Sequence, residues 1–237
     1  MNTPFYLLRL LCLALALAWT HGAQASTVFW GNNVDDPLYD SAGASLDATY
    51  TFQIGVFTGG FTPTYQNVDQ WETNWHLIDL AFDPDENGWN VPGQFYGGTI
   101  DFLTDGTAES TRYTSSDVYT QGTVVYLWAF NSKTIVPSSE WALVTDGSPA
   151  GDIDADWIIP DPLDTDGAYN WTLLDANSAI IGGVNGVQGP GTYSTTPSPF
   201  SLQTAVVPEP GSALLLLAAA VAHLTRRFRR TTSLFLP

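Results

Sequence analysis

The sequence predicts a mainly β protein: a single antiparallel β-sandwich-like domain with one amphipathic helix over about residues 64–82, flanked by an N-terminal signal peptide and a C-terminal transmembrane helix. Three observations carry that reading. β-Branched and aromatic runs recur through the body, each bounded by clusters of Gly, Pro, Asp and Ser, the punctuation of short strands joined by turns. One run, GTVVYLWAFNS from Gly122 to Ser132, is apolar at both alternating sets of positions, as in a central strand covered on both faces. A single stretch switches from the strand period to steps of three and four.

At the start of the chain, residues 1–25 carry one base, Arg9, then an apolar run from Leu10 to Trp19, then small residues at Ala23 and Ala25. This is the layout of a secretory signal peptide cleaved after Ala25 by signal peptidase. The apolar run is about half of the roughly 20 residues that a stable membrane span needs.

The body follows from Ser26 to Val207, 182 residues, enough for one domain with a substantial core. Ser26 to Val34 and Ala48 to Thr58 are expected as strands of a hairpin or meander, separated by a region rich in Asp, Pro, Ser and Gly. Further strands are expected at Phe95 to Phe102, Gly122 to Ser132, Trp141 to Thr145, Trp157 to Ile159, Trp171 to Leu174 and Phe200 to Val207. Between the second and third runs, Val68, Trp71, Trp75, Ile78 and Phe82 recur at steps of 3, 4, 3 and 4 with polar residues between them. That spacing predicts a helix with an aromatic stripe, begun at Thr62-Pro63 or just after Thr64. The stripe reads as core, the alternative being a platform on which sugars stack. An echo of WHLIDL, WALVTD and WTLLDA has no fixed period, so a solenoid or propeller is not indicated.

Composition excludes several functions. The only cysteine, Cys12, lies in the signal peptide, so the mature body has no thiol for a disulfide, a nucleophile or a metal. Its one histidine, His76, sits inside the helical pattern, and it is read as structural or incidental. Zinc and copper sites lack ligands. Between Ser26 and Val207 there are 2 basic residues, Arg112 and Lys133, and 23 acidic ones, a formal charge of −21. Such a surface repels nucleic acid, anionic lipid and acidic polysaccharide unless divalent cations bridge them. The 8 tryptophans of the body argue against disorder.

Carboxylates leave two chemical readings open. Glycoside hydrolysis needs two acids roughly 5 to 10 Å apart across a sugar cleft, and most of the acids here fall in predicted turns. Calcium is the other. Asp83-Pro-Asp85-Glu-Asn87-Gly88 matches the opening of a calcium loop, with oxygen ligands at alternate positions and a glycine at the sixth. The match fades, because Gln94 stands where a bidentate Glu would close the loop. Asp152, Asp154 and Asp156 form a second alternating cluster, which on a strand would share one face and favour a cation. In a loop, both clusters are ordinary acidic turns.

The chain ends in VVPEPGSALLLLAAAVAHLTRRFRR and a seven-residue tail, TTSLFLP, at 231–237. Pro208 and Pro210 hold Val207 and Glu209 extended, a stiff strip that a protease can read. Gly211 to Thr225 follows as an apolar segment, and as a helix it reaches only about 22 Å against a hydrocarbon core of about 30 Å. Arg226, Arg227, Arg229 and Arg230 would stay on the cytoplasmic side. Together, the 208–230 segment resembles the PEP-CTERM sorting signal of exported bacterial proteins, with His223 in the apolar run and the extra tail as departures from the pattern.

The resemblance implies processing near Pro208, Glu209 and Pro210 by a membrane-embedded exosortase-type enzyme, transient anchoring in the inner membrane, and delivery to the cell envelope, surface or biofilm matrix. It also implies a setting of exopolysaccharide production. The expectation for the body is a non-enzymatic structural or polysaccharide-interacting domain, the alternative a carboxylate-dependent carbohydrate-active enzyme.

Overall fold

A computed structural model of the chain describes residues 25–83, 87–110, 112–147, 157–164 and 168–208. In chain order the elements are β1 (Ala25–Gly31), β2 (Leu38–Tyr39), β3 (Thr51–Phe57), α1 (Trp71–Asn74), β4 (Trp75–Phe82), β5 (Trp89–Asn90), β6 (Phe95–Leu103), β7 (Ala108–Ser110), β8 (Val125–Phe130) and β9 (Glu140–Thr145). There follow β10 (Ala168–Thr172), β11 (Ser178–Ile181), β12 (Gly183–Val184), β13 (Val187–Gln188), β14 (Leu202–Gln203) and β15 (Ala205–Val206). They form a five-stranded sheet in the order β10-β1-β6-β5 with β7 also on β6, a six-stranded sheet β11-β9-β8-β3-β4 with β15 on β9, and a four-stranded sheet β13-β12-β14-β2.

The protein is mainly β. β8 is the run that was apolar on both faces, and it lies between β9 and β3 as expected. Leu127 and Ala129 turn to a core shared with the five-stranded sheet, where they join Phe52 and Ile54 of β3, Val28 and Trp30 of β1, and Ile100 and Phe102 of β6. Trp128 and Phe130 turn the other way, into a second core with Phe57, Trp71, Trp75 and Trp141. There Trp71 stacks on Trp141 at 5.6 Å and meets Trp128 edge-on at 5.8 Å. Such pairs add about 0.5–1.5 kcal/mol each beyond their burial. The six-stranded sheet is therefore covered on both faces by apolar side chains from opposite directions.

Four expectations change. The helix over 64–82 is a 3-10 turn, Val68–Gln70, and the single turn α1, after which β4 begins at Trp75. The helical spacing has two separate causes. Trp71 and Trp75 meet the same core from a turn and from the strand after it. Further on, the β3–β4 register pairs Ile54 with Asp79 and Gly55 with Leu77, so Ile78 is an extra residue. β4 is also buried on both faces: Trp75 turns into the second core and Ile78 into the first, so two buried positions three apart lie on opposite sides of one strand.

The first two strands are not a hairpin either, because β1 belongs to the five-stranded sheet and β3 to the six-stranded one. Nor are the sheets purely antiparallel: β1 pairs β10 in parallel, and so does β14 with β2. Parallel pairing joins segments distant in sequence, and local alternation carries no trace of it. Trp157 to Ile159 contributes only a bridge between Ile158 and Val124. Among the described residues no helix is long and apolar enough to cross a membrane.

Candidate functional site

Most residues singled out from the sequence lie outside the described residues: Ala23, Asp85, Asp152, Asp154, Asp156, Glu209, Pro210, Arg226, Arg227, Arg229 and Arg230. The apolar segment 211–225 and the signal peptide before Ala25 lie there too. Of the rest, Ala25 opens β1 opposite Leu103. At the other end, Val207 is 2% exposed in the second core, its N–H donating to Ser139 O at 2.9 Å, and half-buried Pro208 is the last described residue.

Asp83 borders a cavity of about 370 Å³ with Trp89, Val91, Pro92 and Phe95. Nearby, the Asn87 carbonyl accepts from Phe82 N–H, closing the loop onto β4. Among the described residues no group of three or more His, Cys, Asp or Glu side chains could hold a metal. Gly88, the sixth residue of the calcium pattern, is glycine both for its turn and for its packing. Its φ is +88°, and a Cβ there would lie 2.7 Å from the Arg112 guanidinium.

That guanidinium belongs to a buried network. Asp79 on β4 is fully buried; its Oδ2 accepts from Trp30 Nε1 at 2.7 Å and Arg112 Nη2 at 3.0 Å, and its Oδ1 from Ser110 Oγ at 2.6 Å. Arg112 also donates to the carbonyls of Leu80 and Gly97. The other cation of the body, Lys133, places its ammonium 4.9 Å from the Trp128 ring centroid and 5.5 Å from that of Phe130. Burial there lowers it below the usual lysine value, with Glu72 opposing.

Glu140 shows a different solution for a sheltered carboxylate. Burial pushes it up, but donors surround it: Ser41 Oγ at 2.6 Å, Thr204 Oγ1 at 2.7 Å, Ser41 N–H at 2.9 Å and Tyr50 Oη at 3.0 Å. Their sum outweighs burial and holds Glu140 below the usual glutamate value.

One cluster was not anticipated. His76 on β4 and Asp117, between β7 and β8, meet at 2.8 Å between Nδ1 and Oδ2, with side chains 35% and 44% exposed. The pair borders a cavity of about 380 Å³ with Thr58, Tyr119, Thr120 and Thr123, closed on one side by the Gly59-Gly60 turn. Asp117 is fixed by its own N–H, which donates to Ser115 Oγ at 3.0 Å. Tyr119 Oη donates to Leu77 O at 2.6 Å, and burial first among several causes pushes its phenol up to about 12, so this wall is neutral. The sequence held no sign of the pair, because its members are 41 positions apart and His76 was placed on a helix.

All eight tryptophans of the body are at most 9% exposed. The stripe of Trp71 and Trp75 is core and not a sugar platform. Fold and site together define an acidic, mainly β body with mixed sheets and its tryptophans inside. Comparison with protein-family models, curated proteins and solved structures finds no match to this chain.

Proposed function

We propose that the chain is an exported surface or extracellular-matrix protein, sorted by a PEP-CTERM-type tail, whose sandwich-like body is non-enzymatic and interacts with polysaccharide. The 1–25 leader sends it across the inner membrane, the 211–225 segment anchors it briefly, and an exosortase-type enzyme acts near Pro208–Pro210. One observation carries the reading of the body. Both cations and all eight tryptophans are turned inward, to Asp79, to aromatic rings and to the two cores. The charge left facing solvent is carboxylate, beside hydroxyls, amides and scattered apolar side chains such as Val34, Leu163 and Leu174, a net-negative surface that favours hydration outside the cell.

The hydrolase alternative needs facing acids in a cleft lined by exposed aromatic residues, and the buried tryptophans weigh against it. The grip on the chain supports the sorting part: the body holds residues up to Val207 and the stiff strip begins at the next position. The test is to express the full chain in a bacterium with an exosortase-type enzyme, fractionate the cells and take intact masses. We expect an extracytoplasmic species that begins at Ser26 and lacks the residues after the Pro208–Pro210 strip. A full-length cytoplasmic product would overturn the reading. Calcium at Asp83, Asp85 and Asn87, or at Asp152, Asp154 and Asp156, belongs to this proposal as a bridge to acidic glycans, and titration with and without a chelator measures it.

A further inference from the structure

We propose that the cavity beside His76 and Asp117 is a subsite for one residue of a neutral saccharide. The inference rests on the polysaccharide-interacting reading above and gives it a location. It starts from unused hydrogen-bonding capacity. Asp117 Oδ2 is engaged with His76 Nδ1, while Asp117 Oδ1, His76 Nε2 and the hydroxyls of Thr58, Thr120 and Thr123 have no partner among the described residues. Five polar groups of both donor and acceptor character thus border one small cavity.

Charge narrows the ligand. A carboxylate at the rim, on a body of formal charge −21, disfavours phosphate, sulfate and uronic acid. A metal ion would find one carboxylate and one imidazole, too few protein ligands for a stable site. An apolar ligand would cover the pair and leave its polar atoms unsatisfied. A sugar ring avoids each of these problems. Its hydroxyls donate to Asp117 Oδ1, exchange hydrogen bonds with the threonines, and pair with His76 Nε2 in either tautomer.

The rest of the cavity suits the carbon face of such a ring. Val56, Phe57 and Val118 supply apolar wall, and Val118 is 69% exposed at the rim. Gly59 and Gly60 have φ of +66° and +75°, and a Cβ at either would meet nothing within 4 Å. No packing demand makes them glycine; a left-handed turn does, and it leaves the lip of the cavity free of side chains. The volume of about 380 Å³ lies at the lower end of the roughly 300–1,000 Å³ typical of ligand sites, enough for one ring and not for a long segment.

The test is isothermal titration of the full chain in detergent micelles with oligosaccharides from dextran, mannan and galactan, and with oligogalacturonate as the anionic control. We expect at least one neutral oligosaccharide to bind, oligogalacturonate to bind at least tenfold more weakly in chelator, and His76→Ala and Asp117→Ala each to weaken the neutral ligand by about tenfold or more. Thr120→Val, a smaller change at an exposed position, should weaken it by a few-fold. Melting temperatures of the three variants check that the fold is kept. If the wild type binds a neutral oligosaccharide and all three variants bind it equally well, the subsite is wrong while the polysaccharide reading stands. If the wild type binds no neutral oligosaccharide, the subsite is wrong; if it also binds no oligogalacturonate in the presence of calcium, the polysaccharide reading fails with it.

Discussion

On β4, His76 and Asp79 stand three residues apart, and each meets an ionisable partner from the segment that follows β7. Asp79 and Arg112 have side chains 1% and 15% exposed, and every oxygen of the carboxylate is engaged. His76 and Asp117 are 35% and 44% exposed, and half of the pair's capacity is unused. The bulge at Ile78 brings both to one face of the sheet, since His76 lies opposite Val56 and Asp79 opposite Ile54; Asp79 is covered there by Trp30 and Arg112, whereas His76 stays open to solvent. The lesson is that a pair closed on all sides is part of the fold, while a pair left open on one side is available to a ligand.

The largest break in this contrast should come from Gly98→Ala. A Cβ there would lie 1.9 Å from Arg112 Nη2 and 2.5 Å from Asp79 Oδ2, neither of which can retreat without leaving the other unpaired. We expect loss of folding, seen as loss of the cooperative thermal transition. Arg112→Met comes next: it leaves a buried carboxylate without its cation and should cost about 3–5 kcal/mol in denaturant titration. If it costs no more than a surface change, Asp79 is not the closed site described.

Glu140 sharpens the comparison, because its donors are neutral. Glu140→Gln keeps the volume and forfeits the charge-assisted bonds, which should cost about 2–3 kcal/mol. Its pH dependence has a definite sign. The folded-state carboxyl lies below the unfolded value of about 4.3, so its stabilisation is complete above that pH and is lost as pH falls through the lower, folded-state value. Acid titration of Glu140→Gln should therefore show a shallower loss of stability over that window than the wild type. The smallest effect is expected for Asp117→Ala, about 0–1 kcal/mol, as for other exposed pairs.

How far these features could be read from the chain differs by region. β8 was evident because each of its faces is apolar, and burial on both sides leaves that trace in composition. β4 reads as helix because a turn carrying Trp71, followed by a strand that buries Trp75 on one face and Ile78 on the other, spaces apolar residues by three and four, and a single sequence does not separate that from a helix. The parallel pairing of β1 with β10 was invisible, since local patterning records which face is buried and not which strand lies alongside. The sequence motif suggests only a turn role for Gly88; its packing against Arg112 becomes visible only in three dimensions. For the same reason the His76–Asp117 cavity had no signal in the sequence: its lining comes from three separate stretches, 56–60, 76 and 117–123.

The most direct test of the account is to measure stability and neutral-oligosaccharide affinity on the same preparations of wild type, Asp117→Ala and Arg112→Met. The account predicts that Asp117→Ala melts with the wild type but binds at least tenfold more weakly, and that Arg112→Met is strongly destabilised. An Asp117→Ala protein that is destabilised like Arg112→Met, or that binds the oligosaccharide as tightly as the wild type, would contradict it.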